Sequence, residues 1–402
     1  KAIDLDPKYA AAHNNLGLAL SESGQLDAAI ASYKKAIDLD PKYAFSHNNL
    51  GLALKQKGES GAAIASFKTA IDLDPKYAVP HFNLGLTLKD TGQLDAAIAS
   101  YKRAIELDPE LTKAYNDLGL ALAEMGQLDA AIACYKTAIK LDPKFVGAHV
   151  DLGVALRRKG HLDAAIASYK KAIELDPKRP QAHHNLGHAQ EDVFQFDAAI
   201  ASFKTAIELQ SKHAGVQACL AKARRLAAAQ DKLPALLKGD FKPTTSEEQL
   251  GLSELCLKKK HYRTSAGLSA EAFAADPKLA DDWQAGYRYN AACCAALAAA
   301  GQGEDPPGRT KLDGTEKARL RKQAIDWLRA ELTVWTNIID SGSAADRAKM
   351  KVQLKHLPED SDLAGIRDAA ALVKMPAEER AACEKLWSDV ESLLKRGDEK
   401  PK

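Results

Sequence analysis

Proline keeps a fixed interval through the first half of the chain. Pro7, Pro41, Pro75, Pro109, Pro143 and Pro177 each fall 34 residues after the last. The stretch around them returns as well: A-I-D-L-D-P-K-Y stands at residues 2–9, 36–43 and 70–77, with variants at 104–111, 138–145, 172–179 and, worn down, 206–213. A strict period of this length marks a solenoid of stacked helix-turn-helix units, each touching only its neighbours. The chain starts inside such a unit, because K-A-I at residues 1–3 matches the late part of a second helix, and it is expected to be a piece of a longer polypeptide.

Position 1 of a unit is set at Ala10. Position 8 is then glycine in six consecutive copies (Gly17, Gly51, Gly85, Gly119, Gly153, Gly187). Positions 20 and 27 are alanine, position 7 is leucine, and position 24 is aromatic (Tyr33, Phe67, Tyr101, Tyr135, Tyr169, Phe203). Small residues let the two helices of a pair approach closely, and a larger side chain there overpacks by about 1–3 kcal/mol. The aromatic and the leucine are expected to fill the space between pairs. Gly24, Gly58, Gly92, Gly126 and Gly160 stand where the first helix ends, a place that favours the left-handed conformation. Phe194 replaces glycine in the sixth copy, which predicts a tighter turn on a different path.

This column pattern resembles the tetratricopeptide repeat family over residues 1 to 213. The resemblance implies an all-α, right-handed superhelix, an α-solenoid. Position 4, where that family often has tryptophan, is His13, His47, His81, Tyr115, His149 and His183 here, and the histidines read as packing substitutes. On this frame, residues 1–9 end a truncated repeat and 10–213 hold six repeats. Residues 214–233 form a capping helix that Pro234 ends, and 234–245 are a linker. Residues 246–402 are a smaller block of degenerate repeat-like helices, with a degenerate repeat at 246–279, helices predicted at 287–300, 315–339, 344–357 and 377–394, and a loop at 301–308.

That block carries L-P-A-L-L-K-G (233–239), A-E-A-F-A-A-D-P-K-L-A-D-D (270–282), Y-N-A-A-C (289–293), A-I-D-W-L-R-A (324–330) and S-D-L-A-G-I-R-D (361–368). These stretches make it similar to the C-terminal tail of certain bacterial multidomain serine/threonine protein kinases with repeat arrays behind the kinase domain. The resemblance implies a kinase upstream of Lys1. These residues hold no H-R-D, D-F-G or V-A-I-K of their own, so no enzyme is expected within them.

Other chemistry is scarce. A net charge of +2 gives no general attraction to nucleic acid or an anionic membrane. The basic runs at 258–263 and 317–322 read as solvated faces, with too few stacking aromatics for a nucleic-acid surface. No apolar run reaches the roughly 18 residues that span a bilayer. Six scattered cysteines without C-x-x-C spacing read as reduced, mostly buried thiols of a cytoplasmic protein. The G-x-G at 301–303 precedes two prolines and follows no strand, so it reads as a solvated insertion. His184 and His188 lie i, i+4 on one helix side, as metal ligands do. Surface histidines are far commoner, and no cysteine supports the set, so neither a metal nor a cofactor is expected.

What remains is one face of the first helices. Positions 2, 5, 6, 9, 12 and 13 share it, opposite the packing positions; in the family resembled, this side lines a concave groove. Position 6 is Asn15, Asn49, Asn83, Asp117, Asp151 and Asn185. Position 5 adds Asn14, Asn48 and Asn116, interrupted by Phe82 and Val150. Position 9 adds Leu18, Leu52, Leu86, Leu120 and, in the last copy, His188. The charges beyond them, Lys55, Lys89, Arg157 and Arg158 against Glu22, Asp90, Glu124, Glu191 and Asp192, read as mixed. An asparagine offers a donor and an acceptor to a peptide unit. Each bond nets only about 0.5–1.5 kcal/mol, so several repeats must engage together. The predicted partner is a protein or peptide, extended or helical, held by a non-enzymatic scaffold, with Asp117 and Asp151 favouring a basic segment. The asparagines have a second reading, holding repeat to repeat without a ligand. The alternative function is self-assembly, a homo-oligomer or filament built by end-to-end stacking of solenoids.

Overall fold

The computed structural model describes residues 6–210, 214–304 and 310–398. The A-I-D-L of the first motif copy (2–5), the worn end at 211–213 and the 305–308 half of the predicted loop lie outside the described residues. All described elements are helical, and the chain divides into two compact units, Lys1–Gln217 and Ala218–Lys402.

The first unit is a run of helix pairs: α1 Ala10–Glu22 and α2 Leu26–Leu39, α3 Ala44–Gln56 and α4 Ser60–Leu73, α5 Ala78–Asp90 and α6 Leu94–Leu107, α7 Thr112–Glu124 and α8 Leu128–Leu141, α9 Val146–Arg158 and α10 Leu162–Leu175, α11 Pro180–Asp192 and α12 Phe196–Leu209. Each helix packs on the next, and each first helix also meets the first helix of the following repeat.

The D-P-K-Y stretch works as a stop. Asp40 is extended (φ −138°, ψ 91°), as the residue before a proline tends to be. Its carboxylate accepts the Lys42 backbone N–H at 3.0 Å. The same bond returns at Asp74, Asp108, Asp142 and Asp176. The position-4 histidines do more than fill space. Nε2 of His13, His47, His149 and His183 donates to the carbonyl of Pro7, Pro41, Pro143 and Pro177 at 3.0–3.1 Å, tying each first helix to the stop before it. Since a carbonyl only accepts, Nε2 carries the proton.

The aromatic at position 24 lies inside its own pair, over the position-8 glycine, and not only between pairs. A Cβ added at Gly119 would stand 2.6 Å from a Tyr135 ring carbon, and Gly51 against Phe67 repeats the clash. The sixth turn is not rerouted. Phe194 takes φ +61°, close to the +78° of Gly24, and Gln195 N–H still donates to Gln190 at 2.9 Å, as Gln25 does to Leu20. The closing hydrogen bond demands a left-handed residue. Phe194 accepts the strain, of about 1–2 kcal/mol for a residue with a Cβ.

Helix α13, Ala214–Lys238, runs through Pro234 rather than ending there. Leu233 is buried before the proline and residues 235–237 are half-buried after it, which outweighs the one lost backbone bond. The stop is Gly239, at φ +85°, where Gly239 and Asp240 N–H groups return to the carbonyls of Leu236 and Ala235.

In the second unit, α14 Ser246–Lys258 and α15 Tyr262–Ala275 repeat the pair geometry. Lys260 adopts φ +62° in the glycine slot, Leu252 and Ala272 are fully buried, and Asp276 accepts Lys278 N–H before Pro277. The short α16, Pro277–Asp281, leads to α17, Tyr287–Ala299. Every residue from 291 to 299 is buried, as in a helix surrounded by neighbours. Around it stand α15, the long α18 Gly314–Ser341 and α20 Ala364–Arg367; α19 Ala344–His356, α21 Ala369–Leu372 and α22 Ala377–Asp398 complete the unit. Tyr289 of Y-N-A-A-C donates its hydroxyl to Asp360, beside S-D-L-A-G-I-R-D, and the Cys293 thiol lies 3.9 Å from the same carboxylate oxygen. Two stretches far apart in sequence are thus one packing unit. Burial pushes the Cys294 thiol up to about 12, so it stays protonated. No described helix is long and apolar enough to cross a membrane.

Candidate functional site: the first-helix face

Position-5 and position-6 side chains bond across three of the five repeat junctions, each time 35 residues apart. Asn49 Nδ2 donates to Asn14 Oδ1 at 3.0 Å, and Asn83 Nδ2 to Asn48 Oδ1 at 2.9 Å. Asn116 Nδ2 donates to Asp151 at 3.0 Å, the direction reversed because a carboxylate only accepts. Asn14, Asn48, Asn83 and Asn116 are buried, so these amide groups are used by the neighbouring repeat. Asn15 and Leu18 are exposed. Asn49, Leu52, Leu86, Asp117, Leu120, Asp151, Asn185 and His188 are half-buried.

A second ladder runs beside the first with the same offset. Ser21 Oγ reaches Gln56 at 3.5 Å, and Lys55 pairs with Asp90 at 2.9 Å. Arg158 donates to the Ala123 carbonyl at 3.1 Å, and Arg157 pairs with Asp192 at 2.6 Å. Charges that read as mixed along one helix are matched between helices. The signal was in the columns: position 12 of one repeat opposes position 13 of the next.

Among the described residues, both ladders fail together at one junction, between α5 and α7. Phe82 stands where an asparagine would reach Asp117, and no ion pair forms between Lys89 and Glu124. The Phe82 ring packs on Tyr101 at 6.0 Å. The hydroxyl of Tyr101, a residue with no exposed surface, is buried without a hydrogen-bond partner, and so is Asn116 Oδ1. Burial pushes the Asp117 carboxyl up to about 6. Lys89 and Lys55 pull it down and Asp151 and Asp90 push it up. Asp151 is also raised by burial, against the hydrogen bond from Asn116. The junction therefore gathers an unbonded carboxylate, a lysine and the half-buried apolar side chains Phe82, Leu86 and Leu120.

At α11 the face changes again. Nε2 of His188 and Nε2 of His184 lie 3.1 Å apart, and both rings pack on Phe203. Burial first, then His184 and Arg157, pull the His188 imidazole down to about 4. Val150 precedes Asn185 in the ladder, so that rung is absent as well.

Profiles described as tetratricopeptide or TPR repeat match residues 1–31, 17–58, 53–92, 87–126, 116–180 and 180–213. Similar solved structures include MamA, at 32% identity over 43% of this chain and 94% of that one, with a TM-score of 0.39. YrrB, described as a TPR protein with an unusual peptide-binding site, is 28% identical over 46% of this chain and 94% of its own, with a TM-score of 0.39. The pilF protein of Pseudomonas aeruginosa is 19% identical over 55% of this chain and 100% of its own, with a TM-score of 0.49. No curated protein matches the chain.

Proposed function

Because the chain belongs to the tetratricopeptide repeat family through residues 1–213, we propose that its repeat unit is a non-enzymatic interaction scaffold. It binds an extended peptide along the first-helix face and receives a basic side chain at Asp117. The observation that carries this reading is the coincident break of both ladders. At three other junctions an asparagine of this face bonds to the neighbouring repeat. Here Asp117 is half-buried and has no hydrogen bond or ion pair among the described residues, with apolar Phe82, Leu86 and Leu120 on the same face.

The electrostatics favour an occupant. With an unfolded value of 3.8 and a folded value of about 6, the folded chain binds more protons than the unfolded one between those pH values. This carboxyl therefore favours folding at low pH, and that contribution is lost as pH rises through about 6. At neutral pH the array carries a destabilised carboxylate, which a lysine or arginine of the ligand relieves.

The test is selection of twelve-residue peptides on the immobilised chain. Enrichment of lysine or arginine flanked by apolar residues is expected, and it should disappear with Asp117→Asn but persist with Asp129→Asn on α8. From the fraction of Asp117 ionised, the affinity of a selected peptide should fall about tenfold between pH 7 and pH 5. Selection that ignores charge, or is unchanged in Asp117→Asn, overturns the reading.

In the parent polypeptide, we propose, the scaffold recruits partners for a serine/threonine kinase in a bacterial cytoplasm. This rests on the resemblance of the second block to such kinase tails. Tyr289 and Cys293, the ends of one of those stretches, both lie against Asp360, the residue before another.

A further inference from the structure

The sequence placed His184 and His188 i, i+4 on one helix side, as metal ligands are, and argued against a metal because isolated surface histidines are far commoner. The structure removes the reason for that conclusion. The two Nε2 atoms face each other at 3.1 Å, with ring centroids 4.6 Å apart. The rings do not swing freely: Phe203 of α12 holds His184 at 5.9 Å and His188 at 5.2 Å, the latter edge-on at 74°. The adjacent His183 is already committed, its Nε2 bonded to the Pro177 carbonyl at 3.0 Å. The three histidines of this helix thus separate into one that ties the helix stop and two that converge.

Two imidazole nitrogens 3.1 Å apart form a bite. With metal–nitrogen bonds of about 2.0–2.1 Å, that separation corresponds to a nitrogen–metal–nitrogen angle of roughly 100°, between octahedral and tetrahedral values. We propose that His184 and His188 form a chelating site for a divalent transition-metal ion of the zinc, nickel or copper class on the first-helix face of the sixth repeat. Imidazole suits these ions, whereas magnesium and calcium prefer oxygen ligands. The ion takes the place of the proton now shared between the two nitrogens. The ring that carried that proton on Nε2 carries it on Nδ1 instead, so no net proton is released.

The inference is independent of the peptide reading, because the metal alone is the probe. The full chain is titrated calorimetrically with zinc, nickel and magnesium chloride, and copper binding is followed by its visible absorption. One transition-metal site is expected, absent for magnesium. It should be lost in His184→Gln and in His188→Gln, and retained in His183→Gln and His47→Gln, controls needed in a chain with eleven histidines. Far-UV circular dichroism checks that each variant is folded; if His188→Gln is not, His184→Gln alone decides. No zinc or nickel binding by the wild-type chain, or binding unchanged in a folded His184→Gln, overturns the proposal.

Discussion

In the repeat unit, Asn14, Asn48, Asn49 and Asn83 lie along one helix face and bond from each repeat to the next. In the second unit, the side chains of Arg288, Glu331 and Trp335 meet in the interior. Arg288 lies 3.4 Å from Glu331 and also pairs with Asp281, while Trp335 Nε1 donates to Glu331 at 3.0 Å. The array repeats a weak neutral contact, and no single rung has much to lose. The second unit places two opposite charges where water does not reach, with Arg288 7% and Glu331 2% exposed. Removing one then strands the other. Periodicity spreads polar energy along a surface; its loss concentrates that energy at a few buried sites.

The most direct way to break this comparison is Arg288→Met. It leaves Glu331 buried with Trp335 as its main remaining donor, and burial already raises the Glu331 carboxyl. A loss of about 3–5 kcal/mol is expected. Adding Glu331→Gln should restore part of it, because the amide still accepts from Trp335 without a charge. All four tryptophans, at 283, 327, 335 and 387, belong to the second unit, so fluorescence during urea unfolding reports that unit by itself. A loss below about 1 kcal/mol, the size of an exposed pair, would erase the contrast.

Asn48→Ala probes the other side. It removes the acceptor of Asn83 Nδ2 and the donor to Asn49 Oδ1. Since the partners are neutral and one is half-buried, a loss of about 1–2 kcal/mol is expected, read by far-UV circular dichroism. In a solenoid this cost falls on the interface between neighbouring repeats. An unchanged midpoint would mean that the ladder carries no coupling and that the apolar columns alone hold the stack.

The same contrast explains what could be read from the letters. Pro41, Gly51, Phe67 and Gly58 act within one repeat, through clashes and turns that local rules describe, and their roles were legible. The ladders were half-legible. Asn14 and Asn49 stood in adjacent columns, but pairing them needs the one-position shift between stacked helices, which a single helix does not reveal. Tyr289 and Asp360 had no period to betray them, 71 residues apart. Pro234 was misread because a local breaker was weighed without the burial of Leu233 on one side and the half-buried Leu236 and Leu237 on the other. Asp117 was singled out for its charge. Its isolation comes from Phe82 one repeat earlier.

One device is common to both units, and it gives the finest comparison. Phe194 and Lys260 occupy the same left-handed turn position, at φ +61° and +62°, where the other repeats use glycine. Replacing either by glycine relieves about 1–2 kcal/mol of left-handed strain. The added freedom of the unfolded chain offsets about 0.4–1 kcal/mol of that gain. A net gain of a few tenths to about 1 kcal/mol is therefore expected for Phe194→Gly by circular dichroism and for Lys260→Gly by tryptophan fluorescence. Phe194 differs in one respect: its ring meets Phe196 edge-on at 90°, with centroids 6.1 Å apart. If Phe194→Gly loses stability while Lys260→Gly gains it, that ring contact outweighs the backbone strain. The last turn of the array would then be held by side-chain packing, as the second unit is, rather than by the glycine that sets the turns before it.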